Sequence, residues 1–226
     1  MRSALPPVVV FDLYGTLVDI HTDEADPLLW QETAACLGRP WDALALRRAV
    51  DRGTREAFLA AGDEFGEPDL ARVWQRLTGL TGAPLRQVLW FFRERSTHVL
   101  RCFPDARQVL AALRASGRRL ILLSNAQACW TRPELRLLGL ADAFDGILLS
   151  SEVGVRKPSP AFYGTLGALG VSPSECVMVG NDAQCDCWGA HRCGIPSLYL
   201  HTRQSPPRTA LPPDCREIGG LSELVE

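Results

Sequence analysis

The sequence contains almost no lysine and no excess of positive charge. Its 226 residues include 24 lysines and arginines against 26 aspartates and glutamates, and Lys157 is the one lysine among them. The net charge of -2 and the pI near 6.1 argue against a basic surface that binds nucleic acid or an anionic membrane. We therefore expect neither nucleic acid nor a membrane as a partner.

Long apolar runs and a leader peptide are also lacking. No apolar run approaches the roughly 18 residues of a membrane span, and residues 1–10 do not have the pattern of a signal peptide. We therefore expect a cytoplasmic protein, in which the eight cysteines remain thiols. Cys185, Cys187, His191 and Cys193 lie close together, but without a Cys-x-x-Cys pair they are more typical of small buried side chains than of a zinc site.

Short apolar runs alternate with helical patterns through most of the chain. The predicted strands are 8–11, 119–123, 146–149, 176–179 and 197–200, followed by a short C-terminal strand. The predicted helices between and after them are 105–116, 133–138, 160–169, 184–192 and 221–225. This alternation predicts an α/β fold with a doubly wound, Rossmann-like parallel sheet.

Residues 21–98 interrupt the alternation. This stretch has no strand pattern, and amphipathic helical patterns cover about 26–37, 41–61, 68–78 and 84–101. We therefore predict an all-helical cap domain over 21–98, inserted into an α/β core that comprises 1–20 and 99–226. The cap contains four of the six tryptophans, most of which should form its own core, while one or two could line a substrate pocket.

Polar side chains follow four of the predicted strands. In chain order they are Asp12, Tyr14 and Thr16; Ser124 and Asn125; Lys157; and Asn181, Asp182 and Asp186. Each of them alone is compatible with a turn or a helix cap. Together they should meet at one edge of the sheet, because ligands bind beyond the carboxyl ends of parallel strands. Carboxylates gathered there repel one another, which predicts a hard divalent cation such as Mg²⁺ beside the lysine.

The order and gaps of these residues resemble the four motifs of the haloacid dehalogenase (HAD) superfamily of hydrolases, over essentially the whole chain. The four similar segments are 11–19; Ser124; Lys157-Pro158 with Tyr163; and Gly180–Asp182 with Asp186 and Gly189-Ala190. A helical cap after the first motif is a further point of resemblance. The resemblance implies that Asp12 is a nucleophile, which forms a covalent aspartyl intermediate that water hydrolyses.

The resemblance also implies roles for the neighbouring residues. Thr16, Ser124 and Lys157 would hold Asp12 or the anionic oxygens of a small-molecule substrate, and Tyr14 and Asn125 would belong to the same catalytic group. The ligands of Mg²⁺ would be Asp12, the backbone carbonyl of Tyr14 and Asp182, with Asp186 acting through water. The cap would close over the substrate, but nothing in 21–98 indicates which of its residues bind it, and the oligomeric state stays open.

Tyr14 leaves the reaction undecided. The phosphatases of the superfamily usually have an aspartate at this position, which acts as general acid and base, whereas its 2-haloacid dehalogenases have a tyrosine. A halide leaves without being protonated, so a dehalogenase can dispense with the acid. Ser124-Asn125 and Tyr163 are compatible with that branch. A dehalogenase also uses a cap arginine to receive the halide, and the candidates are Arg39, Arg47 and Arg48.

The carboxylate pair of Asp182 and Asp186 favours the other branch, since a dehalogenase needs no metal ion. We therefore expect a Mg²⁺-dependent phosphatase that acts on a small phosphate ester or acyl phosphate. A metal-independent 2-haloacid dehalogenase is the alternative, and a binding protein of the same fold that has lost catalysis is the third hypothesis. In either enzyme, Lys157 would fit beside Asp12 better than an arginine, because an ammonium is compact and a guanidinium is wide and planar.

Overall fold

A six-stranded parallel sheet forms the centre of the fold. The computed structural model describes residues 5–37, 41–207 and 209–225. Their strands are β1 (Val8–Phe11), β2 (Val18–Thr22), β3 (Thr97–Cys102), β4 (Arg119–Ser124), β5 (Gly146–Leu149), β6 (Cys176–Gly180), β7 (Ser197–Leu200) and β8 (Cys215–Ile218). The sheet has the order β5-β4-β1-β6-β7-β8, and every neighbouring pair is parallel. The predicted α/β fold is confirmed.

Strand β1 lies at the middle of the sheet because its sequence, VVVF, suits burial on both faces. Val9 and Phe11 pack into one hydrophobic cluster and Val8 and Val10 into another, so both faces of the sheet are covered. Phe11 pairs with Leu122 of β4 and with Val179 of β6. This register ends the three central strands at one edge, which brings together the residues that follow them.

The helices surround this sheet and form the insertion. They are α1 (Pro27–Cys36), α2 (Ala43–Ala60), α3 (Leu70–Thr78), α4 (Gly82–Ser96), α5 (Ala106–Ala115), α6 (Ala128–Leu137), α7 (Ser150–Val153), α8 (Pro160–Gly164) and α9 (Gly189–Arg192). A 3₁₀ turn, Thr165–Leu169, continues α8, and a π-helical turn, Ala183–Trp188, precedes α9. Shorter 3₁₀ turns are Pro173–Glu175 and Leu221–Leu224. Within the described ranges, no helix combines the length and apolar character that crossing a membrane requires.

Helix α6 begins earlier than predicted. The pattern placed its start near Pro133, because proline is favoured in the first turn, but Pro133 lies inside a helix that begins at Ala128. Trp130 and Thr131, in the turn before the proline, are both buried. Packing of these side chains therefore starts the helix before the proline that the sequence pattern marked as its beginning.

The insertion is not helical at its ends. Residues 97–101 were predicted to continue the helix 84–101, but they belong to β3, which pairs antiparallel with β2. Thr97 and Val99 are β-branched, a preference that favours a strand once a partner strand is present. A two-stranded ribbon therefore precedes and follows helices α1–α4, and the exact bounds of the cap, 21–98, stay a prediction.

An aromatic cluster joins the insertion to the core. The rings of Trp30 and Trp74 each lie 5.1 Å from the ring of Phe92, and Trp130 of α6 stacks on Phe92 at 6.3 Å. Trp30, Trp74 and Trp130 are all buried. The hydrophobic core of the insertion is therefore completed by a side chain from the α/β part of the chain.

A glycine at the end of β6 allows the sheet edge to carry a buried carboxylate. A Cβ on Gly180 would lie 2.1 Å from Oδ2 of Asp186. Gly180→Ala should therefore displace Asp186 and lower the free energy of unfolding by about 1–3 kcal/mol, the usual cost of overpacking. Urea unfolding of the variant measures this loss.

The control is Gly164→Ala, at the end of α8. A Cβ there meets nothing within 4 Å, and the residue is exposed. Alanine has the higher helix propensity, so this variant should be neutral or gain up to about 1 kcal/mol. Equal stabilities of the two variants would contradict the account of Gly180.

Candidate active site

Lys157 is buried between two carboxylates at the carboxyl edge of the sheet. Its Nζ donates to Asp12 Oδ1 and to Asp186 Oδ1, both at 2.7 Å, and the residue is 2 % exposed. Burial alone lowers the pKa of an ammonium, but the charges of Asp12 and Asp186 outweigh burial and raise the pKa of Lys157 above its ordinary value. The lysine therefore stays charged and offsets one of the two buried negative charges.

Asn125 holds the backbone of Lys157. Its Oδ1 accepts from Lys157 N at 2.7 Å, and its Nδ2 donates to Lys157 O at 3.0 Å. The peptide bond between Lys157 and Pro158 is cis. Asn125 was predicted as a member of the catalytic group. Its side-chain amide binds both the backbone N–H and the backbone carbonyl of Lys157 and so orients this residue.

The side chains around Asp12 come from three strand ends. Ser124 donates to Asp12 Oδ1 at 3.2 Å, and the hydroxyl of Thr16 lies 3.3 Å from Asp12 Oδ2. Together with the lysine, these contacts fix the orientation of the carboxylate. Four of the six residues predicted as catalytic thus form one hydrogen-bonded group around this carboxylate: Asp12, Thr16, Ser124 and Lys157.

Asp182 and Asp186 have different environments, although both belong to the loop and turn after β6. Asp186 is buried, and its Oδ2 accepts from Asp182 N at 2.9 Å while Oδ1 binds the lysine. Burial raises the pKa of Asp186, although the charge of Lys157 opposes this shift. Asp182 is partly exposed and caps the π-helical turn, because its Oδ1 accepts from the backbone N–H groups of Gln184 and Cys185.

A metal ion would fit the charge of this site, but only with few direct protein ligands. Within 5–37, 41–207 and 209–225, no group of three or more His, Cys, Asp or Glu side chains is placed to hold a metal ion. Both oxygens of Asp186 already accept a hydrogen bond, which favours contact of this residue with a metal ion through water. Asp12, Asp182 and the carbonyl of Tyr14 remain as hard oxygen donors, and Mg²⁺ commonly keeps several waters beside one or two carboxylates.

A cleft of about 180 Å³ opens over these residues. Its lining comprises Asp12, Tyr14, Ser124, Asn125, Lys157, Asn181, Asp182, Cys185, Asp186, Gln204 and Pro206. Counted at their formal charges, the three aspartates and one lysine of this lining leave an excess of two negative charges. The charged side chains of the lining therefore do not balance one another, and a bound cation would offset the excess.

Asn181 was quoted with the fourth motif but not predicted as a site residue. Its Oδ1 lies 3.2 Å from the hydroxyl of Thr16, and its amide lies against Gly15. Gly15 has a φ of 82°, and a Cβ there would lie 2.3 Å from Asn181 Nδ2, so glycine is required on both counts. The position of Asn181 directly after the strand Cys176–Gly180 placed it among the polar residues expected at the sheet edge, but the sequence assigned it no role of its own.

Tyr14 is tied to helix α6 and, through it, to the insertion. Its hydroxyl donates to Glu134 and lies 2.9 Å from the hydroxyl of Thr131. Glu134 is 1 % exposed, and Arg93 of α4 donates to it at 2.6 Å. Burial raises the pKa of Tyr14 well above its ordinary value, and the charge of Glu134 raises it further. Tyr14 is therefore a poor proton donor.

The sequence does not point to Glu134, Thr131 or Arg93 by any local pattern. Glu134 follows Pro133 in an unremarkable helical stretch, and Arg93 is one of 23 arginines. Their role depends on how α4 and α6 pack, which brings the guanidinium of Arg93 to 5.4 Å from the ring of Trp130. Tyr163 of the third motif has a structural contact, since its hydroxyl donates to the backbone carbonyl of Cys185 at 2.6 Å.

A second cavity, of about 450 Å³, lies in the insertion. Trp30, Trp74, Phe92 and Trp130 provide aromatic walls, and the charged residues of its lining are Glu24, Arg47, Asp51 and Arg55. Of the three candidate arginines for a halide, Arg47 thus faces a cavity, Arg48 is exposed, and Arg39 lies outside the described residues.

Comparison with known proteins finds both branches among the relatives. The phosphoserine phosphatase of Thermus thermophilus is 38% identical over 59% of this chain, although the match spans 53% of that enzyme, about half its length. The (S)-2-haloacid dehalogenase 1 of a Pseudomonas species is 28% identical over 96% of this chain and 94% of that enzyme. Among solved structures, a HAD phosphatase from Thermococcus onnurineus superposes with a TM-score of 0.63 at 25% identity, covering 96% of this chain and 95% of that one.

The family comparison agrees with the geometry at the sheet edge. The family model for haloacid dehalogenase-like hydrolases matches residues 6–194, which include Asp12, Ser124, Lys157 and Asp186. The similar solved HAD phosphatase has the same α/β fold as this chain. The chain belongs to the haloacid dehalogenase-like hydrolases.

Proposed function

We propose that this hydrolase is a Mg²⁺-dependent phosphatase of small molecules, acting in the cytoplasm through a covalent intermediate on Asp12. The observation that carries the proposal is the excess of two negative charges in the cleft lining. A phosphate dianion would be repelled by this lining unless a divalent cation were bound beside it. Asp12, Asp182 and the carbonyl of Tyr14 would hold the ion together with water, and the ion would stabilise the charge of the transferring phosphoryl group.

The remaining residues of the site prepare the nucleophile. Lys157 and Ser124 donate to the same oxygen of Asp12, which holds its carboxylate in one orientation towards the cleft. Asp186 holds the lysine from its other side, and Asn125 fixes its backbone. Positioning of this kind replaces a bimolecular encounter by a reaction between oriented groups.

The leaving group sets the choice of substrate. The hydroxyl of Tyr14 donates to Glu134, and its raised pKa makes it a weak acid, so it does not supply a proton to a departing alkoxide. Aryl and acyl phosphates release weakly basic anions that need no proton. We infer that the enzyme prefers such substrates over simple alkyl phosphates.

A panel of phosphates tests this preference. In the presence of Mg²⁺, alkyl phosphates should react about 10²–10⁴-fold more slowly than aryl or acyl phosphates, which is the usual contribution of general acid catalysis. Release of inorganic phosphate measures the rates. Both EDTA and Asp12→Asn should abolish the turnover of an aryl phosphate, and activity that survives either treatment refutes the phosphatase proposal.

Lys157→Arg tests the shape of the cation at the nucleophile. The variant keeps the charge, but a planar guanidinium cannot occupy the buried position of an ammonium with two contacts of 2.7 Å. We expect the variant to fold and to lose most of its kcat/KM. Arg132→Lys, in an exposed ion pair with Glu152, is the matched control and should retain full activity. Wild-type activity of Lys157→Arg would mean that the lysine is not required as such.

A 2-haloacid dehalogenase is the second candidate, and two observations favour it. Hydrogen bonds from Lys157 and from the backbone of Asp182 hold both oxygens of Asp186 without a metal ion. The hydroxyl of Tyr14 donates to Glu134 and supplies no proton, and a departing halide needs none. The decisive assay measures chloride release from 2-chloropropionate in the presence of EDTA. The phosphatase proposal predicts that no chloride is released. Chloride release would refute the phosphatase proposal and support the dehalogenase. Inactivity towards both phosphates and haloacids would favour the third hypothesis, a binding protein that has lost catalysis.

A further inference from the structure

The hydroxyl of Tyr14 has a restricted hydrogen-bonding capacity. A phenolic hydroxyl has one proton to donate and two lone pairs that accept. Glu134 is ion-paired with Arg93, and an ionised carboxylate only accepts, so the one proton of Tyr14 is committed to Glu134. The Thr131 hydroxyl, 2.9 Å away, then donates to one lone pair of Tyr14. One lone pair remains, so Tyr14 can accept a proton from a new partner but has none to give.

The surroundings make this arrangement stable. Thr131 and Glu134 are each 1 % exposed, one turn apart on α6, and Arg93 from α4 closes the far side of Glu134. Tyr14 lines the same cleft as Asp12, whereas Glu134 is not part of the cleft lining. Water in the cleft is therefore on the Tyr14 side of the Tyr14–Glu134 hydrogen bond, and Glu134 lies behind it.

We propose that Tyr14 and Glu134 form a proton relay that activates the water which hydrolyses the covalent intermediate on Asp12. As the water oxygen forms a bond to phosphorus, the bond between phosphorus and the carboxylate oxygen of Asp12 breaks and the carboxylate is released. At the same time one O–H bond of the water breaks, and its proton moves to Tyr14 Oη. The phenolic proton of Tyr14 moves at the same time to Glu134 Oε2. When the products leave, the proton returns by the same route to the released acid or to solvent, so no oxidant, reductant or further reactant is required.

The relay serves only one of the two steps. The first step, attack by Asp12, requires a proton for a basic leaving group, and a committed phenol cannot provide it. The second step requires a base, which the Tyr14–Glu134 pair supplies. The inference rests on the proposed function only in that Asp12 becomes covalently modified, and it holds whether the modifying group is a phosphoryl group or the acyl-linked product of dehalogenation.

The experiment compares the two steps directly by stopped-flow and intact-mass measurements on Tyr14→Phe and Glu134→Gln, with p-nitrophenyl phosphate and Mg²⁺. The variants should release one equivalent of p-nitrophenolate per active site in a fast phase. Steady turnover should then be slower than wild type by about 10²–10⁴-fold, the usual loss on removing a general base. The mass of the trapped enzyme should increase by one phosphoryl group, and Asp12→Asn should show neither signal.

Glu152→Gln is the matched control, since Glu152 is half-exposed and binds Arg132 outside the cleft. It should behave as wild type. A purely structural role of Glu134 would slow the fast phase and the steady phase alike without trapped phosphoenzyme, and that result would overturn the relay. Wild-type kinetics in Tyr14→Phe would overturn the relay as well. Because Tyr14→Phe keeps the Arg93–Glu134 ion pair, it still tests the relay if Glu134→Gln fails to fold.

Failure of the proposed function has a separate signature. A wild-type enzyme that is inactive on phosphates contradicts the phosphatase, and the same variants are then assayed with 2-chloropropionate. There the relay predicts one equivalent of chloride in the fast phase and an ester on Asp12 detectable by mass. If the variants instead lose the fast chloride release and the steady turnover to the same extent, the relay is wrong whichever substrate class the enzyme uses.

Discussion

The buried ammonium of Lys157 is the interaction on which the site depends. Two carboxylates from different strand ends, Asp12 and Asp186, approach one another only because this charge lies between them. Removing one partner of a buried ion pair costs about 3–5 kcal/mol, because the other charge is left uncompensated. The lysine thus links the residues at the carboxyl edge of the sheet and orients the carboxylate of Asp12.

A second buried charge pair, Arg93 and Glu134, lies beside the loop that follows β1. Arg93 reaches from the insertion to Glu134, and Glu134 accepts the proton of Tyr14. Phosphatases of this family usually have an aspartate at the position of Tyr14. Here that position contains a phenolic hydroxyl that can accept a hydrogen bond, and the carboxylate of Glu134 on helix α6 lies behind it. Because Arg93 belongs to α4, the state of this acceptor depends on how the insertion packs against the core.

The fold and most of the residues around Asp12 were predictable because their signals are local. Each central strand is a short apolar run that ends in a polar residue, as with Val8–Phe11 followed by Asp12. Strands β2 and β3 were both missed, since their pairing brings together the two ends of the insertion. Glu134 and Arg93 were missed for the same reason: more than 75 residues separate Tyr14 from either one, and no spacing rule relates them. The predicted metal ligands and catalytic roles remain predictions, although the structure brings most of these residues together.

The central claim is that the site assists the attacking water but not the leaving group. The most direct measurement is kcat/KM for a series of aryl phosphates with leaving-group pKa values over a wide range, in saturating Mg²⁺. Since kcat/KM reports the transfer to Asp12, it should fall steeply as the leaving group becomes more basic. A flat dependence would mean that a proton reaches the leaving group, and it would contradict the account of Tyr14 and Glu134.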